Sequence, residues 1–129
     1  MKILILGAGR VGSSLASTLS KQEYEVSIVD LNKDKLLRLQ EDYDLATEIG
    51  HASHPSTLER AGADQETILL AVTNSDECNI TSCQIAKSKF KVKKTICRLS
   101  DSSYLQSLEA FGEKNIDIAI GPENEVTEH

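Results

Sequence analysis

The sequence predicts a single α/β domain on a doubly wound parallel sheet of six strands, and three observations lead there. Short apolar runs alternate with helix-spaced segments from end to end. The first run, Lys2-Ile3-Leu4-Ile5-Leu6, breaks directly into Gly7-Ala8-Gly9-Arg10-Val11-Gly12. Eighteen residues past Gly12, a second run, Val26-Ser27-Ile28-Val29, ends on Asp30. A lone G-x-G-x-x-G carries little weight. Set between a strand and a helix, with an acid at this distance, it is the fingerprint of a Rossmann dinucleotide-binding unit.

The elements follow in order. Lys2–Leu6 is a near-continuous apolar strand, as in a parallel sheet covered on both faces. Val11, Leu15 and Leu19 recur at helical spacing, and Glu25–Asp30 is the second strand. Leu36, Leu37 and Leu39 make Lys33 to Asp42 a helix, and Leu45–Ile49 is a third strand ending in Gly50. Pro55 suits the first turn of a short helix that Gly62 stops, with His54 or Ser53 at its cap. Thr67–Val72 is the fourth strand. Asp76 to Phe90 is a helix with Ile80, Cys83, Ala86 and Phe90 on one stripe. Thr95–Leu99, a helix over Ser103–Phe111, and Ile116–Ile120 complete the pattern. The expected strand order is 3-2-1-4-5-6, with ligand at the carboxyl ends of the strands where the order reverses.

Composition narrows the function. The chain has 129 residues, 40% hydrophobic and 26% charged, the make-up of one ordinary globular domain. No stretch approaches the roughly 20 apolar residues of a membrane span, and a strand starting at Lys2 leaves no signal peptide to expect. A net charge of −6 with no basic stripe argues against nucleic acid. The basic stretch from Lys87 to Lys94 reads as a solvated helix end running into a strand. Three cysteines make no disulfide framework. Cys78 and Cys83 point about 140° apart on a helix, so they cannot share a metal from one face. His51 and His54 have no patterned acidic or thiol partner, so no metal site is expected.

The residues facing the ligand can be assigned chemically. Gly7 permits the tight turn, Gly9 leaves room for a pyrophosphate, and Gly12 lets the first helix pack close to the sheet. That helix presents free N–H groups and a positive dipole end to the phosphates. Arg10 can reach two phosphates in bidentate fashion. Asp30 can accept from both ribose hydroxyls and repels a 2′-phosphate, which favours NAD over NADP; its other reading is an N-cap for the helix from Lys33. His51, in Gly50-His51-Ala52-Ser53, flanks an adenine. Thr73-Asn74-Ser75-Asp76-Glu77-Cys78-Asn79 crosses the switch point, with Asp76 as an N-cap. Arg98 stands either beside a phosphate or on the open face of an edge strand. No nucleophile–base pair or catalytic constellation is visible, so the domain is expected to sense rather than catalyse.

These segments, with Gly50-His51-Ala52-Ser53-His54-Pro55 and Ala71-Val72-Thr73-Asn74-Ser75-Asp76-Glu77-Cys78-Asn79, resemble the N-terminal (RCK, or KTN) domain family of TrkA subunits. Those are the peripheral regulatory subunits of bacterial Trk potassium uptake. The resemblance covers nearly the whole chain. It implies binding of NAD(H), or alternatively ATP or ADP, homo-oligomers built on paired nucleotide domains, and docking on a membrane potassium transporter at the cytoplasmic face. It implies that Gly7, Gly9, Arg10, Val11 and Gly12 hold phosphates and Asp30 the ribose. Leu31, His51 and Ala52 would flank adenine, Thr73 and Asn74 would lie beside the glycine loop, and Glu77 and Arg98 near the phosphates or a neighbouring protomer. Residues 1–121 are then the nucleotide-binding domain. Such proteins continue past Pro122 into a crossover helix and a small further domain, so 122–129 is expected to start that helix or to be a truncated tail. The competing expectation is the cofactor half of a small NAD-dependent dehydrogenase or reductase.

Overall fold

A computed structural model of the chain describes residues 1–108 and 114–128. The strands are β1 (Lys2–Leu6), β2 (Glu25–Asp30), β3 (Ala46–Ile49), β4 (Thr67–Ala71), β5 (Lys94–Arg98), β6 (Ile118–Ile120) and β7 (Val126–Glu128). The helices are α1 (Arg10–Ser20), α2 (Lys33–Asp42), α3 (Pro55–Arg60), α4 (Asp76–Phe90) and α5 (Ser102–Ser107). The sheet order is β3-β2-β1-β4-β5-β6-β7, and the first six strands run parallel. The predicted doubly wound sheet is therefore present, with its reversal between β1 and β4.

Two differences concern the end of the chain. The segment from Pro122, expected to begin a helix or trail as a tail, forms a 3-10 turn at Pro122–Asn124 and then β7, antiparallel to β6. Gly121 and Pro122 turn the chain back, so three polar-flanked residues pair with an edge that would otherwise be open. The helix expected over Ser103–Phe111 is described over Ser102–Ser107, and residues 109–111 of that expectation lie outside the described residues.

Alternation along β1 divides the core. Ile3 and Ile5 face one side with Val26, Ile28 and Leu70, where Ala16, Leu36 and Leu39 of α1 and α2 cover them. Leu4 and Leu6 face the other with Leu69, Ala71 and Cys97, under Leu58 of α3 and Cys83 and Ala86 of α4. Both faces are buried, which is why the parallel strands read as continuous apolar runs. Cys83 and Cys97 are core residues and Cys78 is half-buried. Among the described residues no helix is long and apolar enough to cross a membrane.

The far half of the sheet is tied by one polar cluster. Asp117, just before β6, accepts from Lys87 Nζ of α4 at 2.8 Å and from Thr95 N of β5 at 2.8 Å. Burial works to raise this carboxyl, but the Lys87 and Thr95 hydrogen bonds outweigh it and hold it below its ordinary 3.8. A depressed carboxyl stabilises the fold above its unfolded-state value, and that contribution is lost as the pH falls through the folded-state value. Asp117→Asn is therefore expected to destabilise by about 1 kcal/mol at pH 7, and the gap to the parent should begin to narrow only as the pH falls below about 4. Urea unfolding at pH 7 and pH 3 checks this, and a gap that stays constant between the two would contradict it.

Candidate functional site

The glycine loop is assembled by backbone geometry. Gly7 has φ of 106°, a conformation that side chains oppose, and its N–H donates to Val29 O at 2.8 Å. A Cβ on Gly12 would stand 1.6 Å from Gly7 O, so α1 lies against the turn with no room for a side chain. Gly9 differs from both. Its φ is −77° and a Cβ there would meet nothing within 4 Å. Gly9 is also the N-cap of α1, without a side-chain cap and with no acid in the first turn. By contrast, Asn32 caps α2 and Ser75 caps α4, each followed by acidic residues. The N-terminus of α1 thus keeps its positive end without a side-chain cap or a first-turn acid to offset it.

Asp30 holds this loop from β2. Its Oδ1 accepts from Ala8 N and its Oδ2 from Asn32 N, both at 2.8 Å. Each oxygen retains lone-pair capacity toward a hydroxyl. The alternative of Asp30 as the α2 cap fails, because Asn32 Oδ1 accepts from Lys35 N. Across the carboxyl edge, Gly50 N donates to Asp30 O and carries the chain into the His51 loop. There His51 Nδ1 accepts from Ser53 N at 3.3 Å, and the His51 ring stacks on His54 at 4.5 Å. His54 is the N-cap of α3 without a side-chain bond.

The opposite wall is clamped by Asn79, which is fully buried. Its Oδ1 accepts from Thr73 N at 3.0 Å and Thr73 Oγ1 at 2.6 Å, while Nδ2 donates to Thr73 O at 3.2 Å and Arg98 O at 2.8 Å. One amide therefore fastens the loop after β4 to the end of β5. The expected cap role of Asp76 is corrected: Ser75 Oγ accepts from Cys78 N, and Asp76 instead accepts from Ser100 N and Asp101 N at 2.8 and 2.9 Å. Two backbone donors beyond β5 outcompete a local cap that Ser75 already supplies. Arg98 Nη1 reaches Thr73 O at 3.5 Å. Tyr104 donates to Glu77 Oε1 at 3.2 Å, and that bond, with the Glu77 charge, pushes the phenol's pKa up.

Between these walls lies a cleft of about 540 Å³. Gly7, Asp30, Leu31, His51, Ala52, Thr73, Asn74 and Glu77 line it with Cys78 of the same segment, and so does Thr81, which the sequence pattern did not point to. Thr81 follows Glu77 by one helical turn, and that i, i+4 spacing is the signal that could have found it. Leu31 is 68% exposed at the mouth, an apolar side chain held in water. Gly9 and Arg10 line a neighbouring groove between α1 and α2 instead. Val11, Gly12 and Arg98 line neither. Among the described residues no three His, Cys, Asp or Glu side chains come together as a metal would require.

The TrkA-N domain family matches residues 3–122. The chain is 44% identical to the Trk system potassium uptake protein TrkA of Vibrio alginolyticus and 40% identical to that of Halomonas elongata, in each case over 100% of the chain. It spans 29% of the length of each of these relatives. Three solved structures share the fold at low identity. The Kef C-terminal domain of Shewanella denitrificans, in an AMP-bound form, has a TM-score of 0.72 at 22% identity, over 90% of this chain and 70% of that one. The GsuK channel bound to NAD gives 0.68 at 20%, over 86% and 20%. The anaerobilin reductase ChuY of Escherichia coli O157:H7 gives 0.67 at 18%, over 89% and 63%.

The clamp yields a prediction independent of ligand. Asn79→Ala strands the Thr73 N–H and two carbonyls and is expected to cost about 2–3 kcal/mol. Asn79→Asp should not rescue it, because a carboxylate cannot donate to Arg98 O. Thermal or urea unfolding of both variants checks this, and a cost below about 0.5 kcal/mol for either would refute the clamp.

Proposed function

The chain belongs to the TrkA-N domain family, and from that premise we propose that it is a nucleotide-binding regulatory domain of a potassium-uptake subunit. In this reading the cleft takes NAD(H), or alternatively ATP or ADP, and the domain acts by binding rather than by catalysis. Glycine at position 9 carries the argument. Nothing in the fold requires it, since φ is ordinary and the space about its Cβ is empty. A glycine that packing does not demand, at the uncapped N-terminus of α1, fits a surface kept bare for a phosphate.

The other roles follow from chemistry. Asp30 accepts from the adenosine ribose, and Leu31, His51 and Ala52 form an apolar and aromatic frame for adenine. Gly7, Val11 and Gly12 give the loop its course and its N–H donors, Arg10 adds charge to the phosphates, and Thr73 and Asn74 border them. Glu77 and Arg98 lie toward the phosphates or an apposed second protomer. The AMP-bound Kef domain and the NAD-bound GsuK channel support a nucleotide in such a fold. The curated relatives, named for potassium uptake, support a potassium-uptake setting; in this reading the partner is a membrane transporter, met from the cytoplasm at the inner face. Regulation then means that bound nucleotides differ in affinity for two arrangements of paired domains, a coupling of about 1–3 kcal/mol.

Titration calorimetry with NADH, NAD and ATP tests the reading. Asp30→Ala is expected to weaken every adenosine ligand about tenfold or more. Arg10→Ala should weaken ATP more than adenosine. Gly9→Ala should unfold within about 1 kcal/mol of the parent yet lose nucleotide, because a methyl group meets the ligand and not the protein. Equal loss of adenosine and ATP in the Arg10 variant would remove its phosphate role. Undiminished binding in Gly9→Ala would overturn the argument from the bare loop. The fold likeness to ChuY calls for one more arm, oxidation of NADH by the full-length protein, for which no turnover is expected.

A further inference from the structure

The groove between α1 and α2 gathers positive side chains. Arg10, Ser14 and Ser17 follow one another along one side of α1, and Lys35 and Arg38 stand one turn apart on α2. Together they line a groove of about 540 Å³ in which Asp42 is the single lining carboxylate. Three other cations are paired, Lys2 with Asp64, Arg60 with Glu48 and Lys87 with Asp117. Among the described residues Arg10, Lys35 and Arg38 form no ion pair. A chain of net charge −6 thus leaves three cations facing one concavity, beside hydroxyl donors.

The groove also shares a wall with the cleft. Ala8 lines the groove, Asp30 lines the cleft, and the 2.8 Å bond from Ala8 N to Asp30 Oδ1 is the partition. We propose that this groove is a second anion subsite, for a phosphate monoester, with Lys35 and Arg38 as its own cations, Ser14 and Ser17 as hydroxyl donors, and Arg10 at the border it shares with the nucleotide's phosphates. Guanidinium and ammonium groups suit a dianion of this kind, Arg38 by bidentate contact and Lys35 as a point charge. The phosphate comes from one of two sources. It is carried on the 2′ position of a ribose anchored at Asp30, or it belongs to a separate molecule. In the first case the groove offsets the repulsion that Asp30 alone exerts on a 2′-phosphate. That source rests on the nucleotide reading of the cleft, whereas the anion site itself does not.

The test titrates the chain with NAD, NADP and inorganic phosphate, by calorimetry and by the amide resonances of Ser14, Ser17, Lys35 and Arg38. The variant is Lys35→Gln with Arg38→Gln, at two exposed helix positions where glutamine keeps helix propensity. It should lose about tenfold in affinity for NADP or phosphate while its affinity for NAD stays within about twofold. Loss selective for NADP assigns the phosphate to the ribose at Asp30. Loss of inorganic phosphate alone assigns it to a separate molecule. Either result upholds the groove. If neither NADP nor phosphate binds the parent, if the variant binds both unchanged, or if phosphate shifts amides elsewhere, the subsite is overturned. Should NAD fail to bind the parent while phosphate still shifts the groove amides, the cleft reading falls and the groove stands. The parent's own shifts decide the matter if the variant does not fold.

Discussion

Everything at the carboxyl edge depends on a contact between two stretches of backbone. With no side chain at Gly12, α1 starts against the turn that follows β1, where a methyl group would stand 1.6 Å from Gly7 O. That approach fixes where the N-terminus of α1 points, over the end of the sheet and not out to one side. The turn is in turn held by β2. Val29 O and Asp30 Oδ1 receive the successive N–H groups of Gly7 and Ala8, each at 2.8 Å. A small geometric allowance at one residue therefore propagates into the direction of a helix and the position of a carboxylate.

Asn79 does on the other side of the reversal what Asp30 does on this one. Both are side chains that bind backbone and so convert a connecting loop into a fixed wall. Asp30 spans from β2 to the glycine loop, and Asn79 from α4 to the ends of β4 and β5. Loops pinned in this way lose little freedom when something binds between them, which lowers the ordering cost of association. The exposed Leu31 and the stacked His51 and His54 remain outside this network, and they are the apolar and aromatic surfaces left at the mouth.

Much of this was readable in the residues, and the failures share a cause. The strand–glycine–helix–strand–acid order is local, and local order placed β1, α1, β2 and Asp30 without error. Boundaries slipped by one residue at β3, β4 and β5 and by two at β6, because a strand's end residues are set by its neighbours' pairing and not by its own apolar run. Strand β7 gave no signal because Val126-Thr127-Glu128 is short and mixed, and only the turn at Gly121 and Pro122 brings it against β6. Asp76 was read as a cap from its position, but its partners, Ser100 N and Asp101 N, are 24 and 25 residues away. Asn79 was invisible as a clamp for the same reason. Arg10 was rightly placed in the glycine loop, yet the side on which it lines a surface is set by the packing of α1 on α2.

Electrostatics connects these observations. A domain of net charge −6 repels a polyanion at long range, but at physiological ionic strength that field decays over about 8 Å. Any attraction to an anion is therefore local, set by the few charges about the glycine loop, and acids at the helix starts matter most there. The first turn of α1 carries none, unlike the first turns of α2 and α4. Arg10, Lys35 and Arg38 stand close by without ion-pair partners among the described residues. The nearest carboxylate, Asp30, already accepts two backbone N–H groups that partly balance its charge. Three cations therefore stand about this edge although the net charge is negative. The same edge holds two distinct places, the cleft and the groove, divided by a single hydrogen bond.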